Sequence, residues 1–429
     1  MNRPYDAWGA WRIALLLLAF MLVNFFDKIV VGLLAVPLMT ELKLTPVQFG
    51  MVGSSFFWLF AVGGIAGGFL CNRIATRWVL LAMALAWSLC QVPLFVPTSF
   101  AVFIAARVAL GLTEGPAYPV AIHAAFKWFP PHKRIVPIAV FNAGAGLGLL
   151  IAGVTVPLVT ARWGWRANFL LLCTLTIAWS LCWLAFGREG NVDAMATRTL
   201  LRPRVAYRHL LADRTLVATM AMQFASYWGV AFSFTWLPAY LQKGLGLEAT
   251  ASGRLYALIV AAAMPLAITA SYGIQWLLVR GVPPRIARGW CTGACQMIAG
   301  AMFCCAAAPL LPLAVRAMFL IAGMALGSGS YAMCPAILGE VTPSAQRSAV
   351  LAIGNSVASL AGIFAPLITG HLVQAHAGSR GYELAFDVCG VLLIAGGLGG
   401  AAMVDPQRSL GRQLRGSGGA AGAPQTQST

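Results

Sequence analysis

Polar residues are spaced along this chain so that long apolar stretches run between them. Read with a window of about 19 to 20 residues, the length of helix that crosses a hydrocarbon core, the stretches fall at 13–36, 48–70, 78–97, 100–126, 135–158, 167–186, 215–240, 252–279, 287–307, 310–336, 348–373 and 384–403. Each predicts a membrane-spanning helix. The longest polar connection, 187–213, carries Arg188, Arg198, Arg202, Arg204 and Arg208 and divides the chain into six helices on either side. The predicted architecture is an all-α membrane protein of twelve transmembrane helices in two pseudo-symmetric six-helix halves. The halves are 1–186 and 214–404, with 187–213 a cytoplasmic linker and 405–429 a tail. They echo each other: Pro119, a basic loop, Asn142 and Pro157 in one; Pro335, a loop with Arg347, Asn355 and Pro366 in the other. Such internal symmetry is a mark of transporters built from repeats. The tail, ending GSGGAAGAPQTQST, has nothing to bury and is predicted to be disordered.

Composition agrees with this pattern. The 429 residues are 60% hydrophobic and 10% charged, with a mean hydropathy of +0.80, which excludes a water-soluble protein. Arg3 and Arg12 precede the first stretch as they would in a signal peptide, yet that stretch contains Asp27 and Lys28 and leads into Pro37 without a small-residue cleavage site, so it reads as a retained helix. The ten Cys lie almost entirely in apolar stretches, without the spacing of a metal site or a disulfide framework. A formal charge of +17 raises nucleic-acid binding, but its distribution argues otherwise. Of 29 Lys and Arg, twenty fall in the termini and the loops on one side, seven on the other, and two, Lys28 and Arg107, within the membrane. By the positive-inside rule both termini are cytoplasmic.

Four charges stand where an apolar stretch should carry none: Asp27 and Lys28 in the first, Arg107 and Glu114 in the fourth. At the bilayer centre a single Asp, Lys or Arg costs roughly 2.5 to 3.5 kcal/mol on insertion scales, so the four must pair or face water. Arg107 and Glu114 are two helical turns apart and share a face, with Gly111 between them leaving a gap against which a ligand would sit. At 1.5 Å per residue, Arg107 lies roughly 10 Å deep and Glu114 and Asp27 roughly 21 Å deep. Fully ionised, the four sum to zero. Protonating either carboxylate leaves net positive charge, so proton uptake and anion binding support each other, which is the physics of anion and proton symport.

Three readings remain open for these residues: a structural salt-bridge network, proton-coupled export of a cation, and proton-coupled import of an anion. Lys28 and Arg107 would repel an organic cation, which favours the last. His123 is a candidate proton relay; His132, His209, His371 and His376 show no ligand spacing. No Walker loop, nucleotide cassette or nucleophile constellation is present, so neither an enzyme nor a cofactor is expected, and energy comes from an ion gradient. Trp58, Trp228, Trp236, Tyr240 and Tyr118 are candidate pocket aromatics.

The runs RVALGLTEGPAYP (Arg107 to Pro119) and WFPPHKR (Trp128 to Arg134) resemble the major facilitator superfamily, and within it the anion:cation symporter family of bacterial organic-anion permeases. NFFDK (Asn24 to Lys28), FNAGAGLG (Phe141 to Gly148), WLPAYL (Trp236 to Leu241) and GNSVASLAGIFAPLITG (Gly354 to Gly370) extend the resemblance over residues 10–404. It implies a monomer in the bacterial inner membrane, alternating access, and a small organic anion and protons as cargo. It also implies Asp27 and Glu114 as proton-coupling carboxylates and Lys28, Arg107 and Asn355 as substrate-binding residues, Lys28 standing where Arg is usual and lacking its bidentate fork. Asn142 and Tyr118 complete the candidate substrate set.

Departures from the family pattern carry information. The loop after the second helix has Asn72 where an Asp is usual, and the corresponding place near the end of the eighth has Gln275. Sugar-acid permeases tend to present Tyr near Phe25 and Phe60, Gln near Gly64 and Ala145, and an aromatic residue near Pro335. Without those groups a polyhydroxylated ligand would leave polar groups unpaired at about 1 to 3 kcal/mol each, so the expected ligand is an aromatic or short aliphatic carboxylate. A drug or metabolite exporter of the same superfamily and a non-transporting sensor on the same fold are the alternatives.

Overall fold

The computed structural model describes residues 6–71, 73–96, 99–130, 133–190, 206–308, 311–343 and 346–411. Among them, eleven helices are long and apolar enough to cross a membrane. They are α1 (Ala7–Leu33), α2 (Pro46–Cys71), α3 (Thr76–Leu94), α4 (Phe100–Phe126), α5 (Val136–Trp163), α6 (Arg166–Phe186), α8 (Ala249–Val279), α9 (Arg285–Ala306), α10 (Leu313–Glu340), α11 (Ala349–Ala375) and α12 (Arg380–Met403). A further helix, α7 (Arg214–Thr235), occupies the seventh predicted stretch. It is less apolar because Thr215, Thr219, Gln223, Ser226 and Ser233 are all buried along it. Four stretches predicted as single helices are interrupted, the first by a turn at Leu34 and the seventh by one at Trp236. Phe56–Leu59 form turns within α2, and Gly115 and Pro116 do so within α4, where Pro116 starts a new helical segment over Ala117–Phe126.

Contacts divide the chain into two compact units. The first contains Met1–Thr199, Ala231–Ala262 and Gly362–Ala385; the second contains Leu200–Val230, Ala263–Ala361 and Phe386–Thr429. The linker positions 191–205, the tail positions 412–429, Asn72 and His132 lie outside the described residues. Gln275 is described, exposed in the last turns of α8. Arg288 and Arg316 lie in the opening turns of α9 and α10 and are buried. Arg288 pairs with Glu340 at 3.3 Å, and Arg316 donates to the Ala308 carbonyl at 2.7 Å.

Within the first unit, α1 is buried around most of its circumference, and close approach to α5 makes this possible. A methyl group on Gly144 or Gly148 would overlap the backbone carbonyls of Leu18 and Leu22, so only glycine admits α1 at these two crossings. On another side Phe20 stacks on Trp87 of α3 at 4.7 Å and lies against Trp179 of α6 at 4.8 Å, while the Trp179 indole donates to the Leu16 carbonyl at 2.8 Å. These contacts fix the axial position and rotation of α1. They thereby fix where Asn24, Asp27 and Lys28 point.

At the start of α3 the carboxylate of Glu189 takes the place of a capping side chain. It accepts from the backbone N–H groups of Thr76 (3.2 Å) and Arg77 (3.0 Å), from the Thr76 hydroxyl (2.9 Å), and from the Lys127 ammonium. A negative charge is favoured there because the first N–H groups of a helix lack partners within it. Burial opposes the ionised form of Glu189. The hydrogen bonds from Lys127, Arg77 and Thr76 outweigh it and hold the carboxyl below its ordinary range.

Candidate functional site

The four membrane charges meet in one place inside the first unit. Lys28 Nζ lies 3.7 Å from Glu114 Oε2, and Arg107 Nη1 lies 4.0 Å from Asp27 Oδ1. Their side chains are 10%, 0%, 3% and 5% exposed in that order, so none is a solvated surface charge. Each of the two adjacent charges on α1 is thus answered by an opposite one on α4. Residues 27 and 28 diverge by about 100° around α1, which sends Asp27 toward Arg107 and Lys28 toward Glu114.

Two amides that carry no charge, and that the charge pattern alone does not reveal, hold the carboxylates. Asn24, one turn before Lys28 and fully buried, donates from Nδ2 to Glu114 Oε2 at 2.7 Å and accepts from Lys28 Nζ at 2.6 Å. Gln91 of α3, also buried, donates from Nε2 to Asp27 Oδ2 at 2.6 Å. One oxygen of each carboxylate, Asp27 Oδ1 and Glu114 Oε1, is left buried with no hydrogen-bond partner. The Asp27 and Glu114 side chains lie within hydrogen-bonding reach of each other. A buried residue with apolar neighbours and two well-placed donors offers a sequence signal only through its polarity, and Asn24 and Gln91 share that with many packing residues.

Aromatic rings surround the cations. Lys28 Nζ lies 4.5 Å from the Phe25 ring centre and 5.6 Å from that of Phe60, and the Arg107 guanidinium carbon lies 4.9 Å from that of Phe56. A small pocket of the first unit is lined by Lys28 and Arg107 together with Val31, Gly32, Gly53, Phe56, Phe57, Phe234 and Thr235. Asp27 and Glu114 do not line it. The two cations border the pocket and the two acids do not.

Not every expectation about this region holds. The gap at Gly111 is filled by protein: a methyl group there would overlap the Phe56 carbonyl, and one on Gly115 or Gly63 would overlap Phe60 or Leu112. Absence of a side chain lets α2 and α4 cross closely and leaves no ligand space. Trp236 and Tyr240 are fully buried. The Trp236 indole donates to the Pro366 carbonyl at 3.0 Å and packs edge-on against Phe49 at 5.0 Å, and Tyr240 lies 5.7 Å from Tyr382. Both are packing residues. Trp228 is buried against Phe224, and Trp58 is half-exposed and donates to Ser54.

Tyr118 and Asn142 hydrogen-bond each other, and the Tyr118 ring lies 5.4 Å from Phe141. They form a separate polar pair on α4 and α5, both exposed. Asn355 belongs to the second unit, where it accepts from the Tyr331 hydroxyl at 3.3 Å, and Tyr331 in turn lies 5.6 Å from Tyr227. His123 sits in the last turn of α4. Among the described residues no group of three or more His, Cys, Asp or Glu is placed to hold a metal ion.

A helical membrane protein with a buried, internally neutral charge cluster fits many transporters, and comparison of the sequence narrows the choice. The family model described as Major Facilitator Superfamily matches residues 16–330. This chain belongs to the major facilitator superfamily. Among superfamily members with curated names it is similar to a "Probable L-galactonate transporter" of Escherichia coli (strain K12), at 26% identity over 404 residues, 90% of this chain and 87% of that protein. It is also similar to a "Hexuronate transporter" of Bacillus subtilis (strain 168), at 26% over 234 residues, 53% and 56% of the two chains. Among solved structures it shares the fold of a bacterial homologue of the human lysosomal transporter Spinster, with a TM-score of 0.80 at 16% identity, covering 96% of this chain and 99% of the other. Membership of a superfamily of membrane transporters accounts for the membrane-spanning helices.

Proposed function

We propose that this superfamily member is a proton-coupled secondary transporter that imports an organic anion across a bacterial inner membrane, with both termini in the cytoplasm. The observation that carries this reading is the layering of the site. Lys28 and Arg107 line the pocket, while Asp27 and Glu114 line none of it. A ligand approaching through the pocket meets positive charge first. A carboxylate that takes up the Lys28 ammonium draws it from Glu114, and a proton on Glu114 then restores neutrality. Binding and protonation are thereby linked through one 3.7 Å contact.

The layering speaks against a cation exporter, which would set its acids toward the ligand and its basic groups away. It also speaks against an idle sensor, since four buried charges are costly to keep without use. The curated relatives are named for L-galactonate and hexuronates, both hydroxylated acids. Around Lys28 and Arg107, by contrast, the pocket is lined by Val31, Phe56, Phe57 and Phe234, with Thr235 the one hydroxyl side chain among its lining residues. A polyhydroxylated ligand would lose water there without finding partners, so the cargo is read as an aromatic or short aliphatic carboxylate. Asn142 and Tyr118, a polar pair of the same unit, are assigned as residues that further orient it.

The test is uptake of a panel of labelled carboxylates into proteoliposomes under an inward proton gradient, for the wild type and Glu114→Gln. Accumulation that collapses with a protonophore and in the variant supports the reading. Exchange of an organic cation for protons, with no carboxylate entering, overturns it. Galactonate as the preferred substrate overturns the assignment of cargo class alone.

A further inference from the structure

We propose that Asn24 and Gln91 are the positioning residues of the proton site, each occupying one oxygen of a buried carboxylate so that the coupling proton is held between the two oxygens left free. The inference rests on the symport reading above and adds how the protein places the proton.

The geometry follows from what each group is able to donate. Lys28 is a donor only, so its 2.6 Å hydrogen bond to Asn24 fixes the Asn24 oxygen toward Lys28 and turns the amide nitrogen toward Glu114. The amide of Asn24 therefore presents Glu114 with a donor and never an acceptor, and Oε2 is satisfied without a proton. Gln91 of α3 donates to Asp27 Oδ2 at 2.6 Å, its own oxygen being buried without a hydrogen-bond partner. What remains is Glu114 Oε1 and Asp27 Oδ1, buried and without a hydrogen-bond partner, on two carboxyl groups within hydrogen-bonding reach. Two carboxylate oxygens cannot bond each other, because neither has a donor; one proton supplies it.

The charged and titratable groups facing this pair are Lys28 from α1, Arg107 from α4 and the Cys90 thiol from α3. From α2 the neighbours are the Phe56 and Phe60 rings. Asn24 has a second consequence. Its oxygen rests on Lys28, which lines the pocket, and its nitrogen on Glu114, which does not. When a ligand displaces the Lys28 ammonium, the amide loses the contact that orients it, and the donor that satisfied Oε2 is released. Occupancy of the pocket is thereby transmitted to the proton site through one side chain.

The test compares Asn24→Asp, which is isosteric and keeps the acceptor for Lys28 but loses the donor to Glu114, with Gln91→Leu, reading two activities in proteoliposomes. Using the carboxylate that the wild type takes up best, counterflow at equal pH reports ligand exchange, and the pH dependence of gradient-driven uptake reports the proton site. A hydrogen bond to a charged group changes a proton-binding constant by about ten- to a hundredfold. The pH profile of each variant is therefore expected to be displaced by about one to two pH units, with counterflow kept in Gln91→Leu, whose side chain touches neither Lys28 nor the pocket. Profiles superimposable on the wild type in both variants overturn the proposal. If Asn24→Asp fails to fold, judged by its melting midpoint in detergent, Gln91→Leu on a different helix decides alone. Glu114→Gln is run alongside: wild-type driven uptake in that variant would sink the symport reading itself. Loss of driven uptake there, with both amide variants unchanged, would sink only the role of the amides.

Discussion

Lys28 and Glu114 stand 3.7 Å apart, and the short hydrogen bonds that join them run through the Asn24 amide instead of across that gap. The pair is buried, so each charge depends on the other. Removing one partner of a buried pair destabilises by about 3 to 5 kcal/mol, whereas removing both is often nearly neutral. Lys28→Met is accordingly expected to lower the melting midpoint in detergent sharply, and Lys28→Met combined with Glu114→Gln to recover most of the loss while remaining inactive in uptake. A double variant no more stable than the single one would show that the two charges are not coupled.

Gly111 and Gly68 form a contrasting pair for substitution. A side chain on Gly111 meets the Phe56 backbone carbonyl, which cannot move without shifting α2, whereas nothing lies within 4 Å of a methyl group on Gly68. Gly111→Val is expected to abolish a monodisperse folded peak in size-exclusion chromatography. Gly68→Ala is expected to fold normally and to gain about 0.5 to 1 kcal/mol from the lower entropy of its unfolded chain.

The cap at the start of α3 predicts a pH dependence of stability. Glu189 is held below its ordinary value of 4.5, so its stabilisation is present above that value and is lost as pH falls through the lower folded value. The side chain is 29% exposed, which screens the ion pair with Lys127, and a contribution of roughly 1 to 2 kcal/mol remains. Thermal scans should show Glu189→Gln less stable than the wild type at neutral pH, with the difference closing on acidification below about 4.5. A difference that is constant with pH would mean that the carboxylate charge is not what caps the helix.

Two tryptophans predict opposite outcomes. Trp236→Phe leaves the Pro366 carbonyl buried without its indole donor, at a cost of about 1 to 3 kcal/mol. Trp58→Phe removes a 3.3 Å hydrogen bond from a residue that is 40% exposed, and is expected to change stability by less than about 0.5 kcal/mol. Melting midpoints of the two variants, side by side, check this.

Much of this molecule is legible in the sequence. Helices show as apolar runs because each must hide its backbone from lipid, and Asp27, Lys28, Arg107 and Glu114 stand out because a charge in such a run is rare. What the sequence withholds is orientation. Asn24 and Gln91 are ordinary polar residues until their nitrogens are seen to point at two carboxylates. Gly111 reads equally as room for a ligand or for another helix, and only the path of α2 decides. Trp236 and Tyr240 are aromatic in either role; their burial makes them packing residues. Nor does the chain announce that Glu189, over a hundred residues away, caps α3.

The burial of α1 also bears on how the protein is made. Asp27 and Lys28 leave the ribosome before Arg107 and Glu114, which follow about 80 residues later, some 4 to 16 s at about 5 to 20 residues per second. During that interval the first helix has its charges but not their partners, and neither Gly144 nor Gly148 of α5 exists to seat its backbone. Only the hydrogen bond from Lys28 to Asn24 lies within α1 itself and is available from the outset. The charges of α1 are thus made before the groups that satisfy them, and biogenesis has to shelter them, at the insertion machinery, until α4 arrives.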